Sequence, residues 1–294
     1  MADPLTPTHL DSSALGTKEY WDKLYETELS NHADNPADTG TVWFDDADAE
    51  AKMVAYLDEH AAQADYALDR ATASVLDLGC GNGSLLFALR DDGWGGRLVG
   101  VDYSARSVEL ARRVGVSRRG GGGDDDTGER EEEEKEEEVE FKVWDVLGGS
   151  LDHVRNNSST TTTTTTIPST AAEEEEAKET TTGWDLVLDK GTFDAISLSD
   201  ERDGHDRRIC EGYGERVLQL LRTGGIFLVT SCNWTERELR EWFETKAKTR
   251  PTTETETETG ARLRLAGKVE YPSFSFGGIK GQTISTLCFE KVNA

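Results

Sequence analysis

A chain of 294 residues that is 35% hydrophobic and carries seven Trp has the material for a sizeable core. Its net charge of −26 is unevenly placed: Asp124–Glu140 holds 12 acids and two bases, 156–182 five acids and one base, and Pro251–Thr259 three acids. The remainder is only mildly acidic with no basic cluster, which argues against nucleic acid as a partner, and four scattered cysteines (Cys80, Cys210, Cys232, Cys288) with no C-x-x-C pair argue against a disulfide framework or a metal site.

The first residues, MADPLTPTHLDSS, lack the charged and apolar regions of a signal peptide, and no window approaches the roughly 18 apolar residues of a membrane span. A soluble, cytoplasmic protein is expected. Residues 1–73, with amphipathic patches at Tyr20–Leu24 and Ala49–Ala62, read as an N-terminal helical cap, and 74–294 as one α/β domain. From Ser74 onward short apolar runs bounded by Gly or Asp predict buried strands at Ser74–Leu78, Arg97–Val101, Val139–Trp144, Trp184–Leu188 and Gly225–Thr230. Helical spacing falls between them, at Leu85–Arg90, Ser107–Val114, Ile209–Leu221 and Glu236–Phe243. Val269–Phe276 and Gln282–Glu290 predict an antiparallel closing hairpin. The result is a Rossmann-like, seven-stranded, mostly parallel sheet with helices on both faces. Three low-complexity inserts, 120–138, 156–182 and 252–260, lack packing residues and are expected to be disordered acidic or Thr-rich loops, expansions without a function of their own.

The first strand runs into Gly79-Cys80-Gly81-Asn82-Gly83 and then directly into the helical SLLFAL. Glycines permit a tight turn and close backbone approach, and the helix N-terminus offers free N–H donors, a cradle for an adenosine cofactor. Asp102, 19 residues after Gly83, ends the next strand where a carboxylate accepts ribose hydroxyls, with Tyr103 beside it. Asp145 ends the third strand, with Val146, where the adenine is expected. A dinucleotide fingerprint requires Gly or Ala three residues after Gly81, yet Ser84 stands there, and no Gly-Lys-Ser/Thr follows. Asp77 suits a sulfonium or amino group and would repel a pyrophosphate. The set Asp77, Gly79, Gly81, Gly83 and Asp102 therefore resembles the class I methyltransferase pattern, with S-adenosylmethionine as cofactor. Each residue also has a plainer reading: Gly83 for helix–strand packing, Asp102 as a helix cap, Asp145 as a turn residue.

Asp189, at the carboxyl end of the fourth strand in WDLVLDKGTFDAISL, is the candidate for both cofactor contact and steering or accepting the proton of an amine. Its alternative is to cap the turn into Gly191. Lys190 and Asp194 read as a local pair or as helix-start chemistry.

The segments EYWDKLYETEL (Glu19–Leu29), GTVWF (Gly40–Phe44), VLDLGCGNG, VGVDYS (Val99–Ser104), LDKGTFDAISL, TSCNWTEREL (Thr230–Leu239) and PSFSFGG (Pro272–Gly278) resemble the lysine methyltransferases that modify translation elongation factor 1-alpha. The glycine loop is common to all class I methyltransferases; DKGTFDAISL, SCNWT and FSFGG together are specific to this group. The resemblance implies methylation of a lysine of that factor. It also implies that Trp21 and Trp43 close over the cofactor and that Asn233, with Phe193 and Trp234, forms the lysine channel, Asn233 being the second candidate catalytic residue. Core packing is the alternative for Trp43 and Phe44, and for at least one of Phe274 and Phe276. A methyltransferase for another protein or a small amine, and a non-catalytic binding module, share the same cofactor residues.

Overall fold

The computed structural model describes residues 9–62, 68–120, 138–156, 182–244, 260–272, 274–276, 279–281 and 283–293. The three low-complexity inserts lie almost entirely outside these residues.

Seven strands form one sheet: β1 (Val75–Leu78), β2 (Leu98–Asp102), β3 (Glu140–Val143), β4 (Trp184–Lys190), β5 (Leu221–Ser231), β6 (Ala261–Val269) and β9 (Ser285–Asn293). Their order is β3-β2-β1-β4-β5-β9-β6, with β1 to β5 parallel and β9 antiparallel to both β5 and β6. Alternate residues of the central strands enter opposite faces, as a period of two requires. Val75, Leu98, Leu186, Leu188 and Leu228 pack on one side with Met53, Leu57 and Leu85. Leu76, Val99, Val187, Phe227 and Val229 pack on the other with Tyr213, Val217 and Phe243. Both faces are therefore dry, which is why these strands are runs of Val and Leu without polar alternation.

Among the described residues seven α-helices supply the cover: α1 (Lys18–Asp34), α2 (Ala49–Ala61), α3 (Ser84–Asp91), α4 (Ala105–Gly120), α5 (Thr192–Ser197), α6 (Tyr213–Leu220) and α7 (Glu236–Phe243). Thr17 caps α1 by accepting from Tyr20 N–H, and Thr235 with Glu238 forms a reciprocal capping box on α7. The N-terminal residues are fastened to the sheet domain: Ser104 Oγ donates to Asp22 Oδ1 at 2.6 Å and Arg106 to Asp22 O at 2.9 Å. No described helix is long and apolar enough to cross a membrane.

The closing hairpin is present, but its first strand is Ala261–Val269, not Val269–Phe276. A register shift between Leu265 and Gly267 breaks the alternation of ARLRLAGKV and hides it. Phe274–Phe276 and Ile279–Gly281 instead make a separate two-stranded ribbon, β7 and β8.

Candidate active site

Strand order reverses at β1, which pairs with β2 on one side and β4 on the other. Ligands of open α/β sheets bind at the carboxyl ends beside such a switch, and a cavity of about 750 Å³ opens there. The glycine turn forms its floor. Gly79 (φ +65°) and Gly81 (φ +55°) hold left-handed backbone, and a Cβ would fall 2.1 Å from Thr192 Oγ1 at the first and 2.9 Å from Tyr25 Oη at the second. Wedged between α5 and α1, neither position admits a side chain.

Three strand-end acids reach this cavity. Asp77 lines it, is 3% exposed and accepts no hydrogen bond from any described residue. Burial pushes its pKa well up, opposed by the charge of Lys190. A cation in the cavity would supply the missing partner. Asp102 accepts from Ser104 N–H at 2.8 Å and from Gly81 N–H at 3.3 Å, so it both starts α4 and braces the glycine turn. Burial raises its pKa to about 6, against those two bonds. Asp145, exposed, accepts from Leu147 N–H at 2.9 Å, and Val146 lies beside it on the wall.

Of the other residues singled out from sequence, Trp21, Trp43, Cys80, Asn82, Tyr103 and Asn233 line the cavity. Trp21 and Trp43 meet edge to face at 5.4 Å. Asn82 ties the turn to the N-terminal segment, its Nδ2 donating to Thr39 O at 2.9 Å. Asn233 N–H donates to Ser231 Oγ at 3.1 Å, and Ser231 Oγ in turn donates to Asp194.

Four others do not reach the cavity wall. Gly83, with φ +82°, begins α3, and a Cβ there would come 2.6 Å from the Phe141 ring: it serves close packing. Asp189 is fully buried behind the wall. Its carboxylate accepts from Thr192 N–H (2.7 Å), Phe193 N–H (3.0 Å) and Tyr213 Oη–H (2.5 Å), so it caps α5. Burial lifts its pKa to about 7 despite the Tyr213 bond. Phe193 is buried in the core, stacked on Tyr213 at 5.3 Å and Trp234 at 6.1 Å. Trp234, also buried, donates its indole N–H to Ser197 Oγ at 3.2 Å. These two rings fill the space between α5, α6 and α7, since α5 runs along the sheet face that buries its aromatic side. Lys190 and Asp194 are not a pair: Lys190 meets Glu50, while Asp194, in the first turn of α5, accepts from Ser231 and Cys232.

Tyr25, Thr192 and Cys232 also line the cavity and were not singled out from the sequence. Tyr25 stands one helical turn after Trp21, and that spacing was the available signal.

The strand order, the glycine turn and the acids at successive strand ends define a class I S-adenosylmethionine-dependent methyltransferase. A family model described as a methyltransferase domain matches residues 69–147, from before β1 to just past β3. Protein-lysine N-methyltransferase EFM4 of Saccharomyces cerevisiae is 34% identical over 284 residues, 97% of each chain. Its Schizosaccharomyces pombe namesake is 34% identical over 96% of this chain and 95% of that one. EEF1A lysine methyltransferase 2 of Homo sapiens is 30% identical over 95% of this chain and 88% of that one. The chain belongs to this family of protein-lysine N-methyltransferases.

Proposed function

We propose that the enzyme transfers methyl groups from S-adenosylmethionine to a lysine of translation elongation factor 1-alpha in the cytoplasm. The observation that carries the donor half is Asp77, a buried carboxyl with no hydrogen-bond partner among the described residues, which faces the cavity beside the glycine turn. It matches a ligand carrying positive charge, and a dinucleotide pyrophosphate would be repelled there.

When bound, S-adenosylmethionine would supply an electrophilic methyl on its sulfonium, available to the lysine nitrogen once the ammonium proton has been given up to solvent. Asp102 would accept the ribose hydroxyls, and Tyr103, Val146 and Asp145 on the adjoining wall would hold the adenine. Gly79, Cys80 and Gly81 would offer their backbone to the methionine portion, while Asn82 holds the turn to the N-terminal segment. Trp21, Trp43 and Phe44 provide aromatic faces that hold an alkyl chain and a cation and keep water out. Asn233, at the other wall, orients the amine through its side-chain amide. The buried carboxyl of Asp194 lies beside it on the same wall and favours the ammonium form on entry. Asp189 acts through α5: it fixes the turn that presents Lys190, Gly191 and Thr192 to the cavity. The N-terminal residues 1–73 serve as a cap over a methyltransferase domain of residues 74–294, since the cavity takes Trp21, Tyr25, Trp43 and Phe44 from the first and the glycine turn from the second.

The substrate is tested in cells. Deleting the gene is expected to abolish methylation at one lysine of elongation factor 1-alpha and leave its other methyl-lysines intact. Unchanged peptide maps of the factor would point to another protein or a small amine as the acceptor.

A further inference from the structure

The roof of the cavity is a strained piece of chain. Phe44 (φ 65°) and Asp48 (φ 55°) both hold left-handed backbone, a region that residues with side chains rarely occupy and that the surroundings must compensate. Phe44 faces the cavity and its ring lies over Gly191, where a Cβ would come within 3.2 Å of it.

The segment is held from α2, where Lys52 Nζ donates to Ala47 O at 2.7 Å, and from β4. Lys190 Nζ donates to Trp43 O at 3.1 Å and forms an ion pair with Glu50 Oε1 at 3.3 Å; the two side chains are 11% and 16% exposed. That same Glu50 oxygen accepts from Ser84 Oγ at 2.5 Å, and Ser84 is the first residue of α3, next to the glycine turn. One network thus ties three elements that meet at the donor site: the roof, the strand end and the helix after the glycine turn. Screening by water is weak at such burial, and charge-assisted bonds of this kind hold geometry well.

We propose that Lys190 is a positioning residue: by holding Trp43 O and Glu50 together it pins the Trp43–Asp48 segment over the donor end of the cavity. This rests on reading the cavity as the S-adenosylmethionine site. Without the pin the segment relaxes from its left-handed turns, the roof samples open positions, and the donor leaves faster.

The test pairs Lys190→Met, which keeps length but removes charge and donors, with Lys190→Arg and Glu50→Gln. Calorimetry with S-adenosylmethionine is expected to show about a tenfold or larger loss of affinity for Lys190→Met, a smaller loss for Glu50→Gln and near recovery for Lys190→Arg. Turnover at saturating donor should change much less than KM. Hydrogen exchange on the free protein separates positioning from direct contact with the donor. The N–H groups of Ala47 and Ala49, both bonded to Phe44 O at 3.2 Å, should exchange faster in Lys190→Met, while those of β5 keep their protection. Wild-type affinity together with unchanged exchange at Ala47 and Ala49 overturns the proposal. If Lys190→Met does not fold, Glu50→Gln decides on the same two readouts. Failure of the wild-type protein to bind the donor would instead overturn the reading of the cavity, before any variant is compared.

Discussion

Asp102 and Asp189 each sit at the carboxyl end of a parallel strand, each is buried, and each has its pKa raised by burial, to about 6 and about 7. Only Asp102 opens onto the cavity. The difference lies in the path of the chain beyond each strand. After Asp102 the chain continues through Tyr103 and Ser104 before α4 starts at Ala105, and the carboxylate, accepting from Ser104 N–H and Gly81 N–H, stays on the cavity wall. After Asp189, Gly191 turns with φ +91° and α5 starts at Thr192, so its first N–H groups and Tyr213 Oη surround the carboxylate. Acids at the carboxyl ends of the two strands that flank β1 thus serve different ends, one facing the ligand and one holding the scaffold.

The largest expected effect comes from emptying the closed site. Asp189→Ala leaves two helix N–H groups and the Tyr213 hydroxyl buried without an acceptor, and should cost about 2–4 kcal/mol of folding stability in a denaturant titration. A stable protein with lost turnover would instead return Asp189 to the chemistry. Asp102→Ala should act mainly on the ligand, weakening S-adenosylmethionine about 10- to 100-fold by calorimetry, the range of one or two lost bonds to a charged group.

The pH dependence sharpens the contrast. Asp189 titrates from its ordinary value of 3.8 in the unfolded chain to about 7 in the fold, so the folded state holds its proton longer. Its contribution is full below about pH 4 and is lost as pH rises through about 7, with a slope of at most about 1.4 kcal/mol per pH unit. Asp189→Asn should flatten the fall in melting temperature across that window; an unaltered slope would show that Asp189 titrates normally. The smallest effect is Tyr213→Phe, about 1 kcal/mol of stability with little change in donor affinity, read from thermal melts and calorimetry.

Much of the architecture was legible in the sequence because it depends on local rules. Val and Leu runs marked the buried strands, and Gly79 and Gly81 marked a turn whose left-handed positions tolerate no side chain. Asp77 and Asp102 followed from their places at strand ends. What depends on the path of the next element was not legible. Nothing in DKGTFDA says that α5 curls over Asp189, buries Phe193 against Tyr213 and Trp234, and sends Lys190 to Glu50 across the cavity roof. The strand Ala261–Val269 escaped for a related reason, since a shift in pairing near Gly267 breaks the period that would reveal it.

The most direct measurement is the intact mass of recombinant elongation factor 1-alpha after incubation with the enzyme and S-adenosylmethionine. The expected result is a mass gain in whole methyl increments, mapped to one lysine and lost with Asp102→Ala at limiting donor. An unmodified factor, in the presence of enzyme shown by calorimetry to bind the donor, would contradict it.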